Sequence, residues 1–265
     1  MILWYKAHTA KGADMTRRKL IAGNWKMNLK QADGKALAEA VFGKCAAALP
    51  FDVLICPPMS LLGAIAASNT SACAVGAQDV AEAPKMAGAY TGDVSAEMVR
   101  DLGAVCTLVG HSERRTLHGE TNAVVQAKAA NALAAGLQVV ICIGETLAER
   151  EAGQTLDVLR AQINGSVPPI ATAENTVIAY EPVWAIGTGK VPTNADVAAA
   201  HAEIRAELSK LLGAEIAGKM RILYGGSVKP SNAAELLAID NVDGALIGGA
   251  SLKIEDFWGI ASTQQ

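Results

Sequence analysis

Three side chains with complementary chemistry close three separate apolar runs. Lys26 follows Leu20–Gly23 by way of Asn24, His111 follows Ala104–Val109, and Glu181 follows Thr176–Ala179. A carboxylate can take a proton from carbon. A neutral imidazole can donate a hydrogen bond to an oxygen on which negative charge is building, and an ammonium adds positive potential beside it. Together they suit enolisation next to a carbonyl. They do not suit acyl transfer, because Ser112 sits beside His111 without a G-x-S-x-G elbow. Ser112 is expected to cap or begin a short helix carrying Glu113, Arg114 and Arg115. A helix N-terminus there disfavours the His111 imidazolium. For the two arginines a structural salt-bridge cluster is the favoured reading, and it is the plain alternative for Glu113.

Two glycine turns, Gly225-Gly226-Ser227 and Gly248-Gly249, close two more apolar runs. Backbone without side chains approaches an anion closely and can point several N–H groups at it. Tight turning alone would explain either pair; both together favour a phosphate site. Lys190 is no P-loop lysine, since G-x-x-x-x-G-K-[ST] is absent. Cys142 and Glu145 read as support for their neighbours, His118 as a possible interface residue, and His201, within a helical pattern, as surface or packing.

The elements that must position these groups follow one rhythm. Strands are expected at Leu20–Gly23, Val53–Cys56, Ala72–Ala77, Ala104–Val109, Gln138–Ile143, Thr176–Ala179, Arg221–Tyr224 and Gly244–Ile247. Helical spacing fills the segments between, as at Lys35–Leu49, Thr121–Ala135 and Ala195–Leu212. Strands that are almost continuously apolar are buried on both faces, and strand–helix alternation implies parallel pairing with right-handed crossovers. Eight such units predict a closed (β/α)8 barrel of a single domain, an α/β fold whose active site lies at the C-terminal strand ends. A doubly wound sheet would place a G-x-G-x-x-G turn after the first strand, where Asn24-Trp25-Lys26 stands instead.

Composition narrows the partners. Hydrophobic residues make up 51%, and the net charge of -3 gives no basic surface for nucleic acid. No apolar run approaches the ~18 residues of a membrane span. Five scattered cysteines read as reduced thiols of a cytoplasmic protein. No metal-ligand spacing appears, and no cofactor or metal is expected. Residues 1–14 lack the period of the rest and read as an N-terminal extension, disordered or of cloning origin; residues 15–265 form the catalytic domain.

The motifs NWKMN at 24–28, GHSERR at 110–115, CIGE at 142–145, AYEPVWAIGTGK at 179–190, YGGSV at 224–228 and IGGAS at 247–251 closely resemble the triosephosphate isomerase family. The resemblance covers residues 17–261, in order and at the expected strand ends of a TIM barrel. It implies interconversion of dihydroxyacetone phosphate and glyceraldehyde 3-phosphate, a step of glycolysis and gluconeogenesis, with no cofactor. It implies Glu181 as the base, His111 as neutral electrophile, and Lys26 as the enediolate and phosphate cation. It further implies that Asn24 orients a substrate oxygen and that Glu113 tunes Lys26. Backbone N–H groups of Gly187, Ser227, Gly248 and Gly249 would hold the phosphate, and residues 182–190 would form a mobile lid that excludes water. A homodimer, or a tetramer as in some thermophiles, is implied through the loop Gln78–Gly92, whose Thr91 would reach the partner's site.

Two positions depart from the family pattern. Pro192 stands where many relatives have an alanine whose N–H bonds the tyrosine matching Tyr224 in the closed lid; proline has no N–H, so that bond is expected to be absent. His118 stands where many relatives have phenylalanine. Two alternatives remain: another phosphate-binding barrel isomerase or aldolase, and a non-catalytic barrel. A Schiff-base aldolase needs a lysine within a strand, and a non-catalytic barrel predicts loss of Lys26, His111 or Glu181.

Overall fold

The computed structural model describes residues 17–83, 86–186 and 190–264. The expected extension at residues 1–14 lies outside these. Eight strands follow one another: β1 (Leu20–Asn24), β2 (Asp52–Cys56), β3 (Ala74–Ala77), β4 (Cys106–Val109), β5 (Gln138–Ile143), β6 (Thr176–Tyr180), β7 (Arg221–Tyr224) and β8 (Gly244–Ile247). Each pairs in parallel with the next, and β8 returns to β1, with Leu20 opposite Gly244. The predicted single-domain (β/α)8 barrel is the observed fold.

The apolar runs hide an alternation. Leu20, Ala22, Leu54, Cys56, Leu108, Val140 and Cys142 point into the lumen. Their neighbours Ile21, Ile55, Val109 and Ile141 point out, against the helices. Successive side chains of a strand face opposite ways, and here both sides are dry, so the period of two leaves no polar trace. Ion pairs close the N-terminal end of the barrel: Asp52 takes Arg18 at 2.6 Å and Arg221 at 2.8 Å, and Asp243 takes Arg17 and Arg205, both at 2.7 Å.

Several element boundaries differ from the sequence reading, most by a single residue; the larger differences fall on the first helix, β3 and β4. The first helix runs Gln31–Lys44, four residues earlier than expected at its start. Gly34, just before the expected start, is inside it; a Cβ there would lie 2.6 Å from Leu61 Cδ1, so the bare position lets the helix Met59–Ser68 pack close. The helix stops at Cys45, before the alanines 46–48, because Pro50 and the turn into β2 disfavour continuation. β3 begins at Ala74 instead of Ala72, since the Asn69 side chain binds Ser71 N and Cys73 O and keeps this stretch in a turn. β4 begins at Cys106 because Gly103, at φ 92, and Ala104 still close the preceding helix.

His201 is fully buried, so of the two roles expected for it the packing one holds. Its Nδ1 lies 2.9 Å from Asn241 O, its ring meets Tyr180 edge-on at 5.8 Å, and its Nε2 has no partner among the described residues. Burial lowers its pKa from 6.5 to about 4, against the Asn241 carbonyl and Asp243, which pull upward. Between these values the unfolded chain binds a proton that the folded chain does not, so stability present above pH 6.5 is lost as pH falls. Wild type should therefore lose about 3 kcal/mol more than His201→Gln in urea unfolding between pH 7 and pH 4. Parallel pH slopes for the two proteins would contradict this.

Candidate active site

The C-terminal strand ends bring the predicted residues together. β1 ends at Asn24, whose Oδ1 accepts the Lys26 backbone N–H at 3.0 Å and turns the chain sharply. Lys26 has φ 51, a left-handed conformation that a lysine rarely adopts. Its ammonium lies 2.5 Å from Glu113 Oε1, the pairing expected for Glu113. It also crosses to the β8 turn, where a Cβ on Gly248 would sit 3.3 Å from Lys26 Cε.

His111 caps the helix Ser112–His118. Its Nδ1 accepts the Glu113 N–H at 3.2 Å, so this nitrogen carries no proton and Nε2 carries one. Nε2 faces Glu181 Oε1 at 2.9 Å, and Glu181 Oε2 accepts the Ser112 N–H at 3.0 Å. Ser112 thus begins the helix, as expected, while the cap is the imidazole itself. Burial disfavours the Glu181 carboxylate, but His111 and the Ser112 N–H outweigh it and hold its pKa below the ordinary value. Burial likewise disfavours the His111 imidazolium, and the Glu181 carboxylate overrides this to raise the pKa while it sits on Nε2; Lys26 opposes that pull.

A cavity of about 310 Å³ lies over these groups and is lined by Asn24, Lys26, His111, Glu181, Ser227, Gly248 and Gly249. An ammonium, a proton acceptor and two bare turns on adjacent strands β7 and β8 thus open onto one space. Gly187 lies outside the described residues. Arg114 pairs with Asp79 and Glu120, and Arg115 bonds Gly110 O, Asn122 and Ser166, which is the structural role favoured for both.

Glu145 supports the segment that follows β6, as expected of a neighbour. It accepts from Trp184 Nε1 at 2.7 Å and Tyr180 Oη at 3.2 Å, and burial raises its pKa. Arg150 stacks on Trp184 at 4.2 Å and pairs at 3.0 Å with Asp196, whose carboxylate accepts the Thr193 N–H at the start of the helix Asn194–Leu212. The Tyr224 hydroxyl is buried without a hydrogen-bond partner among the described residues.

Two positioning residues escaped the sequence reading. Gly144 follows β5, and a Cβ there would lie 1.7 Å from the Glu181 carbonyl oxygen, where the backbone of β6 leans across. Glu181 N–H completes this contact on Ile143 O at 2.7 Å. The glycine of CIGE was visible, but not what it faced. Gln78, read only as the start of an interface loop, donates to Lys26 O at 2.8 Å and Cys56 O at 2.9 Å.

Comparison with known proteins agrees with this geometry. The family model described as triosephosphate isomerase matches residues 19–264. Triosephosphate isomerase of Rhizobium meliloti (strain 1021) is 58% identical over 247 residues, covering 92% of this chain and 94% of its own. That of Ruegeria sp. (strain TM1040) is 57% identical over 243 residues, covering 91% and 95%. The crystal structure of triosephosphate isomerase from Bartonella henselae superposes with a TM-score of 0.83 at 45% identity, covering 93% of this chain and 98% of that one. With its barrel, its strand-end residues and its near full-length relatives in accord, the chain belongs to the triosephosphate isomerase family.

Proposed function

We propose that Glu181, His111, Lys26 and Asn24 interconvert dihydroxyacetone phosphate and D-glyceraldehyde 3-phosphate through an enediolate. The observation that carries this reading is the 2.9 Å contact between the Glu181 carboxylate and His111 Nε2 at the wall of a cavity that also meets Lys26 and both glycine turns. Glu181 takes a proton from the carbon beside the carbonyl, and the electron pair moves onto the carbonyl oxygen. His111 Nε2–H and the Lys26 ammonium stabilise that oxygen, and Asn24 orients it. Return of the proton to the neighbouring carbon completes the exchange. Ser227, Gly248 and Gly249 offer backbone N–H groups to the phosphate, and Gly187 adds another from the lid.

To reach substrate carbon, Glu181 must leave His111 and the Ser112 N–H. The imidazole then loses the carboxylate that raises its pKa. Burial, Lys26 and the Glu113 N–H on Nδ1 remain and favour the neutral ring, opposed by the half-exposed Glu113 carboxylate, which Lys26 pairs. This supports a neutral electrophile at the moment of reaction. None of the eight strands contains a lysine, which disfavours a Schiff-base aldolase. In a coupled assay the protein should turn over dihydroxyacetone phosphate; absence of glyceraldehyde 3-phosphate would remove the reading.

The protein forms a homodimer in this proposal. Met27, beside the catalytic Lys26, is 96% exposed, and Thr91 lies exposed on the loop that Gln78 begins. An apolar side chain so exposed beside a reacting group fits burial by a second copy. Light scattering should give twice the chain mass for wild type and a shift toward monomer for Met27→Arg; a monomeric wild type would overturn the assembly. No helix among the described residues is long and apolar enough to cross a membrane. All five cysteines are free and buried, which supports placement in the reducing cytoplasm. Recovery of the activity from an extracytoplasmic fraction would oppose that placement.

A further inference from the structure

We propose that Cys45 and Cys73 form a reversible dithiol–disulfide pair, oxidised by a small peroxide, at the end of the barrel opposite the catalytic rim. Cys45 closes the helix Gln31–Lys44, and Cys73 immediately precedes β3. The two segments adjoin, with Ala72 N donating to Cys45 O at 3.4 Å. Both cysteines are free and nearly covered, at 1% and 4% exposure. Their cover is thin: Gly43, Lys44, Ala46, Ala47, Ala48 and Ala72 around them are exposed.

A cavity of about 40 Å³ reaches Cys45 between Arg18, Ala47, Leu49, Phe51 and Ala72. It has room for about one molecule of water or peroxide size. The thiols are unequal partners. The Cys45–Cys73 contact lowers the pKa of Cys45 and, with burial, raises that of Cys73, whose Sγ also reaches Ala74 O at 3.4 Å. The cavity opens on Cys45 rather than Cys73, so a peroxide entering it meets Cys45 first: Cys45 is the attacking sulfur and Cys73 the resolving one. The other three cysteines lie in the lumen, where burial pushes their thiols up, Cys106 to about 12.

The chemistry balances. The Cys45 thiolate attacks one peroxide oxygen and the O–O bond breaks, giving a sulfenic acid and a hydroxide that takes a proton to become water. The Cys73 thiol then attacks the Cys45 sulfur, forms the S–S bond and expels a second water. Two thiols lose two electrons and hydrogen peroxide becomes two waters. A dithiol reductant reverses the bond by exchange. The bridge would close the loop that holds β2 and the helix Met59–Ser68, far from the rim, and leave the rate of isomerisation within about twofold.

The test treats the full chain with hydrogen peroxide and titrates thiols after denaturation. The count should fall from 5 to 3, with a peptide joining Cys45 to Cys73, and return to 5 with dithiothreitol. Cys73→Ser should strand Cys45 as a sulfenic acid that a dimedone probe labels, while Cys45→Ser should leave Cys73 unlabelled. Isomerase activity before oxidation verifies that each variant is folded. The proposal is overturned if all five thiols survive peroxide that oxidises a free cysteine peptide. It is equally overturned if Cys73 joins Cys56 instead, or if only chain-to-chain links form.

Discussion

Glu181→Gln should lower kcat by roughly 10²–10⁴-fold while the protein stays folded. The substitution keeps the shape and size of the side chain. The amide oxygen can meet only one of the two donors that the carboxylate accepts, His111 Nε2 at 2.9 Å or the Ser112 N–H at 3.0 Å, so one hydrogen bond is lost while the volume of the side chain is kept. What disappears is the ability to take a proton from carbon. KM should move far less than kcat, because the proposed phosphate contacts lie on the β7 and β8 turns and do not involve this carboxylate. Steady-state kinetics in both directions check the result, since one group serves both proton transfers and both rates should fall together. A variant with more than about a tenth of wild-type kcat would remove Glu181 from the role of base.

Gly144→Ala should cost roughly 10²-fold in kcat/KM, although residue 144 touches no substrate. The new methyl would need the space of the Glu181 carbonyl oxygen, 1.7 Å from the ideal Cβ, and the next nearest atom, Glu181 C, is at 2.6 Å. Both are backbone atoms and cannot rotate away, so β5 and β6 must separate at their tips. The Glu181 N–H to Ile143 O bond at 2.7 Å stretches with them, and the proposed base moves off its line to the substrate. Overpacking of this kind also destabilises by roughly 1–3 kcal/mol. Thermal unfolding measured beside the kinetics separates the effects: a folded but slow enzyme is expected. Wild-type kcat/KM would show that the strand tips yield without moving the carboxylate.

How much of this the sequence reveals depends on the distance over which each cause acts. β5, β7 and β8 are legible to the residue because their runs begin and end on sharp changes of polarity. Asn24, Lys26, His111 and Glu181 are legible because each follows such a run, and a barrel places all such ends on one rim. Gly144 is not legible as a support, because its neighbour Glu181 lies across a strand pair. Gln78 is hidden for the same reason, being 52 residues from the carbonyl it binds. His201 shares a helix face with Val197, Ala200, Ile204 and Leu208, so the period does bury it; its polarity argues the other way until the Asn241 carbonyl supplies its partner.

The lumen has a consequence for how the chain folds. Its inner cluster takes at least one side chain from every strand, from Leu20 and Ala22 on β1 to Leu246 on β8. No fragment shorter than residues 20–246 contains them all, and a half-barrel leaves its share of the cluster open to water. The outer shell can begin to form locally, strand against following helix, whereas the inner one gains its full burial only when β8 meets β1. Closure of the ring is therefore a late and cooperative event, and it depends on contacts between the two ends of the chain. The rim residues reach their working distances only then, so this architecture yields no partly folded enzyme with partial activity.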